Sequence, residues 1–334
     1  MKKIVTFGEI MLRLCPPGHQ RINQTVTLDV TYGGAEANAA VSLAAFGIPV
    51  SFITRVPEND LGKSAIAAVR ATGVDVNSVL YGGDRLGVYF LEMGAGPRSS
   101  KVIYDRADSS LATLQPGMID WQTIFSNAGW FHWTGITPAV SEAAALSCLE
   151  AIHNAKKAGL IVSCDLNYRS ALWKYGKQAS DVIPEMVRSS DVLLCDPESV
   201  EKMLGLKLSP SDAEVFLKEV VQHFPNLRTV ASTHRKTIHA GHNFWTGSLW
   251  HQGKFFQGPV YEITQIVDRV GSGDAFMAGL IYGLLNYKAD AEQIIQFALA
   301  ASFLKHTVPG DFNRVSVEEV LAVMHGDNGG KVKR

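Results

Sequence analysis

Gly271, Ser272 and Gly273 run directly into Asp274 within the stretch DRVGSGDAF, residues 268–276. A β-branched run containing Ile263, Ile266 and Val267 precedes the stretch, and an apolar helical pattern follows it. A strand-to-helix turn of such small residues exposes its backbone N–H groups at the positive end of the next helix, where an anion can be held. A carboxylate beside a resident anion is repelled. The pairing makes chemical sense if the anion is transient. The N–H groups of Gly271, Ser272 and Gly273 would then neutralise charge developing on a transferred phosphoryl group, while Asp274 takes the proton of an attacking hydroxyl. Taken alone, Asp274 is equally an acid that complements the helix dipole.

A second glycine-rich element, TYGGAEANAAVSLAAFG (31–47), places Gly33-Gly34 at the start of an Ala-rich helix. Glycines there permit close backbone approach. Asn38, one turn in, either contacts a ligand or bonds to a neighbouring loop. Arg169 follows SCDLNY at the C-terminal end of a strand, where open α/β sheets place their ligands. Tyr104 and Arg106 alternate on VIYDRA and share one strand face. Arginine pairs bidentately with carboxylates, although each of these arginines by itself could be a solvated surface charge. PENDLGKSA (57–65) is not a P-loop, because Pro57 stands where the loop needs its first glycine; Asp60 is expected to cap helix 61–72 instead. The turn at 271–274 also lacks the third glycine of a dinucleotide fingerprint.

The elements that must carry these residues alternate. Strands are expected at 4–7, 50–54, 130–133, 160–164, 192–195 and 229–231. Helices are expected at 35–46, 61–72, 139–157, 197–204, 211–223, 274–285 and 290–304. Several strands are apolar on successive residues, as strands covered on both faces are. The pattern predicts an α/β sandwich with a mainly parallel sheet. Segments 11–32 and 85–107 break the rhythm with short alternating strands and form a small β-lid. The main domain is then 1–10, 33–84 and 108–325, followed by a frayed polar tail at 326–334.

The 334 residues are 46% hydrophobic and 19% charged with a net charge of −1. That balance argues against general nucleic-acid or membrane-surface binding. No apolar run approaches the ~20 residues of a membrane span, and a strand starting at Lys3 leaves no room for a signal peptide. Cys15, Cys148, Cys164 and Cys195 show no CxxC spacing and are expected to be reduced packing residues in a cytosolic protein. No cluster has the spacing of a structural metal site.

The two glycine elements, in this order and separation, resemble the signatures of the PfkB (ribokinase-like) family of sugar kinases. The resemblance spans nearly the whole chain, and FGEIMLRLCPPG, GVYFLE, VIYDRADS, CDLNYRSALW and LKHTVPGDF look like its 2-keto-3-deoxygluconate kinases. It implies a three-layer αβα fold and Mg2+-dependent phosphoryl transfer from ATP to the terminal hydroxyl of a sugar acid. Asp274 takes the base role beside the anion hole. Gly34, Asn38, Tyr89, Tyr104, Arg106 and Arg169 take the sugar-acid side. Asn167, Asp196, Ser232, Arg235 and His306, with Gly271 and Gly273, take the nucleotide side. Unpaired lid edges favour a homodimer joined lid to lid. The alternatives are a kinase of fructose or 5-keto-2-deoxygluconate, and a sugar-acid-binding relative without turnover.

The chain departs from the family in three places. DPES at 196–199 stands where the family has N-x-x-E, so either Glu198 or Glu201 covers the lost carboxylate through water, or phosphate and metal handling is weakened. The segment after TVAST is not glycine-rich, and its Arg235 and Lys236 either approach phosphates or form an exposed basic turn. Arg13 stands where neutral-sugar kinases place an aspartate, and it suits either an anionic substrate or a lid-surface salt bridge. His132 and His306 sit in apolar settings as packing or supporting residues.

Overall fold

Successive apolar residues and β-branching make Lys3–Phe7 (β1) a strand with no solvent face, and Ile4, Val5 and Phe7 are all fully buried. The computed structural model describes residues 2–209, 212–288 and 290–327. After β1 come β2 (Met11–Cys15), β3 (Asp29–Gly33), α1 (Ala35–Ala45), β4 (Val50–Ile53), β5 (Arg55–Val56) and α2 (Asp60–Arg70). Next are β6 (Leu80–Tyr81), β7 (Gly87–Glu92), β8 (Lys101–Asp105), α3 (Trp121–Phe125), β9 (Ala128–Thr134), α4 (Thr137–Val140), α5 (Glu142–Lys157) and β10 (Ile161–Asp165). Then follow α6 (Ala179–Arg188), β11 (Val192–Leu194), α7 (Pro197–Leu204), α8 (Ala213–His223) and the hairpin β12 (Thr229–His239)–β13 (His242–His251). The chain closes with β14 (Lys254–Gln257), β15 (Tyr261–Ile263), α9 (Ser272–Asn286), α10 (Ala291–Lys305) and α11 (Val317–Met324).

The central sheet runs β14-β13-β12-β11-β10-β9-β1-β4, with β15 beside β13. Six neighbouring strands from β4 to β12 are parallel, and the β13–β15 end is antiparallel. Helices α1, α2, α9, α10 and α11 pack on one face and α3, α5, α6, α7 and α8 on the other, each over its own apolar core. This is the expected αβα sandwich. Among the described residues no helix is long and apolar enough to cross a membrane, and all four cysteines are free and buried.

Three local expectations need correction. Asn59, not Asp60, caps α2, its side chain accepting from the N–H groups of Leu61 and Gly62; Asp60 is already helical. The single helix expected at 139–157 is two, because Ser141 is extended and caps α5 through the Ala144 N–H. The strand expected to stop at Ala231 continues to His239, pairing with β13 over its whole length. Arg235 and Lys236 therefore lie in a hairpin strand, not a turn. Residue 211 of the expected 211–223 helix, and the tail from residue 328, lie outside the described residues.

Segments 11–32 and 85–107 meet as a second sheet, β3-β2-β7-β8. One face carries Met11, Cys15, Tyr89 and Leu91 against Val270 of the 268–274 turn. Arg13, on the same face, is buried and grips two carboxylates of the main body, Asp268 at 2.5 Å and Asp311 at 2.7 Å. The Tyr89 hydroxyl donates to Asp311 at 2.6 Å. Burial alone would depress the Arg13 pKa, but Asp268 and Asp311 outweigh it and hold the guanidinium above its ordinary value. Arg13 is thus neither a surface salt bridge nor a substrate contact. It is the tie between the small sheet and the loops around the N-terminus of α9. Arg13→Leu leaves two buried carboxylates unpaired and is expected to destabilise the protein by about 3–5 kcal/mol. Tyr89→Phe should cost about 0.5–1.5 kcal/mol, and because both act on Asp311 the double variant should lose less than the sum, as measured by urea unfolding.

Candidate active site

The parallel strands deliver their C-terminal ends to one cavity of about 530 Å³, roofed by the small sheet. Glu9 comes from the end of β1, Asp165, Asn167 and Arg169 from the end of β10, and Asp196 from the end of β11. The roof contributes Tyr89, Val102 and Tyr104, with Tyr89 and Tyr104 opposite each other in register. Arg106 lies one residue beyond β8, its guanidinium 5.8 Å from the Tyr104 ring centre. Opening the floor are Gly34, Asn38 and the turn Gly271-Ser272-Gly273-Asp274.

Gly271 adopts φ 83°, and a Cβ there would run into the Asp311 carbonyl, so only glycine fits. Among the described residues the N–H groups of Gly271, Gly273 and Asp274 have no acceptor in the protein. They are the free donors of the α9 N-terminus. Ser272 is used differently: its N–H goes to Arg269 O and its Oγ accepts from Arg235. The turn therefore offers three unpaired donors to the cavity, one of them the N–H of Asp274 itself.

Asp274 is buried, and Oδ2 accepts from Asn38 Nδ2 at 2.7 Å. Burial pushes its pKa up to about 6, opposed by the Asn38 hydrogen bond. Asn38 Oδ1 in turn accepts the Gly34 N–H, so both ends of this amide are committed and it orients Asp274. Asp165 rises further, to about 8, through burial and then the repulsion of Asp274. Burial and mutual repulsion thus make it costly for both carboxyls to be ionised together in this cavity, and a cation beside them would relieve that cost. Glu36, buried under the Thr134 and Thr137 hydroxyls, is raised to about 7 by burial.

The arginines divide. Arg106 forms a buried pair with Glu9, so its charge is already compensated. Arg169 is exposed to the cavity with no salt-bridge carboxylate among the described residues, and its Nη1 donates only to Tyr168 O. Arg235 lies 4.8 Å from the Trp245 ring centre and donates to Ser272 Oγ at 3.1 Å. Burial and Arg269 push its pKa down to about 10, leaving it cationic. Lys236 is exposed on the same strand.

Two expected nucleotide residues lie outside the cavity wall, Ser232 and His306. His306 is fully buried, its Nδ1 within 2.8 Å of Ser302 O, and burial lowers its pKa to about 3. His132 is likewise buried, beside Ser163. The DPES segment is a helix cap: Asp196 accepts the Ser199 N–H and Ser199 Oγ accepts the Asp196 N–H. Ser199 is fully buried, and Glu198 and Glu201 are exposed outside the cavity wall, so neither supplies a carboxylate there. Residue patterns had not singled out Glu9, Glu36, Asp165, Arg269 or Asp311. Only the position of Glu9 and Asp165 at the C-terminal ends of strands could have flagged them.

The unpaired donors and the cationic Arg235 fit a nucleotide's phosphates. Among the described residues no three His, Cys, Asp or Glu side chains form a metal cage. Asp165, Asn167 and Asp196, on neighbouring strand ends, fit a Mg2+ that takes its other ligands from phosphate and water.

Residues 1–316 match the pfkB family carbohydrate kinase description. A 2-dehydro-3-deoxygalactonokinase of Haloferax volcanii is 33% identical, covering 98% of this chain and 98% of its own. The solved 2-dehydro-3-deoxygluconokinase of Thermotoga maritima is 43% identical, with a TM-score of 0.93 over 98% of this chain and 100% of that one. A fructokinase of Xylella fastidiosa with bound ATP shares the fold, at 20% identity and a TM-score of 0.78 over 97% and 98%.

If Asp274 must be ionised to work, kcat/KM falls as pH drops through its folded pKa. The acid limb of log kcat/KM is expected near pH 6, not near the ordinary carboxylate value. Asn38→Ala removes a bond that favours the charged form and should move that limb to higher pH; an unmoved limb would detach the titration from Asp274.

Proposed function

Since the chain belongs to the pfkB family of carbohydrate kinases, we propose that its acceptor is a sugar acid of the 2-keto-3-deoxygluconate class. ATP phosphorylates the terminal hydroxyl to give 2-keto-3-deoxy-6-phosphogluconate and ADP. The observation that carries this reading is Arg169, exposed to the cavity without a salt-bridge partner among the described residues, in the same cavity as a buried carboxylate set among three unpaired N–H donors. The relatives' sugar-acid substrates support it.

In this reading Arg169 takes the substrate carboxylate, and the Tyr104 hydroxyl and the remaining N–H groups of Arg106 line the sugar. Gly34 lines the sugar side, where its missing side chain lets the Glu9 carbonyl pack against it, and Tyr89 stiffens the roof through Asp311. Asp274 accepts the proton as the acceptor oxygen bonds to the γ-phosphorus and the bridging oxygen leaves with ADP. The N–H groups of Gly271, Gly273 and Asp274, with Arg235, neutralise the charge on the phosphoryl oxygens. Mg2+, held beside Asp165, Asn167 and Asp196, would offset the phosphate charge. Segments 11–32 and 85–107 serve as the lid of the main domain. The outer lid strand β8 is exposed along its whole length, including Val102, Ile103 and Tyr104. Covering such an edge favours a homodimer joined lid to lid, and four reduced, buried cysteines suit the cytoplasm.

Asp274→Asn should keep sugar-acid binding and lose ~10²–10⁴-fold in kcat, measured by ADP release and calorimetry. Arg169→Ala should reduce kcat/KM for the acid by about 10- to 100-fold, since a charge-assisted bond contributes about 1.5–3 kcal/mol. An analogue with an alcohol in place of the acid should lose far less. Equal losses for acid and alcohol would remove the carboxylate assignment.

For the quaternary arrangement, Ile103→Lys on the exposed lid strand should shift sedimentation from dimer to monomer. A sedimentation coefficient unchanged by that charge would place the contact elsewhere.

A further inference from the structure

Lys305, the last residue of α10, is among the largest fully buried side chains of the protein. Burying an ammonium carries a desolvation cost that a carboxylate partner ordinarily offsets. Lys305 has no such partner within salt-bridge distance among the described residues. Its Nζ donates to two backbone carbonyls, Asp268 O at 3.3 Å and Val308 O at 3.0 Å. Those carbonyls belong to the two segments that bracket Gly271. Asp268 opens the turn, and the 306–311 segment supplies the Asp311 carbonyl against which Gly271 packs. The Lys305 Cε lies 3.4 Å from where a Gly271 Cβ would stand.

We propose that Lys305 is a positioning residue for phosphoryl transfer, its buried ammonium holding the 268–271 turn so that the N–H groups of Gly271, Gly273 and Asp274 stay turned to the cavity. The inference rests on the kinase reading above. A carbonyl drawn to a fixed cation sets the plane of its peptide, and each peptide plane in a tight turn constrains the next. Asp268 shows the same logic from its side chain, where Oδ1 accepts the Val270 N–H and Oδ2 the Gly310 N–H. Lys305 does from beneath what Asp268 does from the side. Burial lowers the Lys305 pKa, while the nearby charges of Asp268, Asp311 and Asp274 oppose that and favour the ammonium. Negative charge arriving on a phosphoryl group meets a field that no longer has to be organised.

The test is a pair of variants assayed with ammonium. Lys305→Met keeps the stem and deletes the charge; Lys305→Ala leaves a space lined by the two carbonyls. Lys305→Met should unfold near the wild-type temperature, because the desolvation cost that is removed offsets the two carbonyls left without their donor. Its kcat should fall by about 10²-fold, as for loss of one oxyanion donor, with KM for the sugar acid changed less than about 3-fold. Ammonium chloride, but not tetramethylammonium chloride, should restore kcat of Lys305→Ala in a saturable way. A wild-type kcat in Lys305→Met overturns the proposal. So does collapse of both variants at the assay temperature, which would make the lysine a packing element only, and so does a kcat loss that ammonium cannot restore. If the wild type turns over no acceptor, the kinase reading fails separately. Lys305 is then read from orthovanadate binding, expected to weaken at least about 10-fold in Lys305→Met; unchanged binding rejects the inference.

Discussion

One buried guanidinium couples the small sheet to the loops around the N-terminus of α9. Arg13 leaves the small sheet and closes on Asp268 and Asp311, and those two residues flank the turn that carries Asp274. The cost of desolvating three charges is recovered only when all three meet. The roof of the cavity and the helix N-terminus beneath it are therefore set by one interaction. Tyr89 reinforces it by donating to the same Asp311, which removes that hydroxyl from the pool of groups free to contact a sugar.

The cavity is rich in acids, and burial decides what each can do. Asp165 and Asp274 share a low-dielectric space, and mutual repulsion resists simultaneous ionisation. Asn38 favours the charged form of Asp274 by a side-chain hydrogen bond, whereas Asp165 is helped only by the charge of Arg169 and one backbone N–H, against burial and the repulsion of Asp274. Two chemically identical side chains thereby have different environments, with Asp274 the more readily ionised of the two. The same accounting applies to the arginines. Glu9 spends the charge of Arg106 inside the protein, and Arg169 is left to answer an anion from outside.

Much of this could be read in advance, for identifiable reasons. Strands buried on both faces are apolar on successive residues, so the core of the parallel sheet was legible, and most helices showed in their apolar periodicity. Gly271 and Asp274 could be found because a glycine turn entering a helix has few other uses. The boundaries that failed did so by local competition: Asn59 over Asp60 at a cap, Ser141 breaking a helix that periodicity ran through, and a hairpin strand whose polar residues imitate a loop.

The sequence by itself determined the layer architecture, the family and the glycine turn that opens α9, since these depend on residue types at short spacing. Tertiary structure alone decided the partners. Arg13 with Asp311 and Asn38 with Asp274 are separated by 298 and 236 residues, and no local pattern encodes such distances. A charge in a sequence has no environment. Only folding says whether it meets a counter-charge, as Arg106 does, or faces an open cavity, as Arg169 does, and that difference in solvation separates a charge satisfied within the protein from one left facing the cavity.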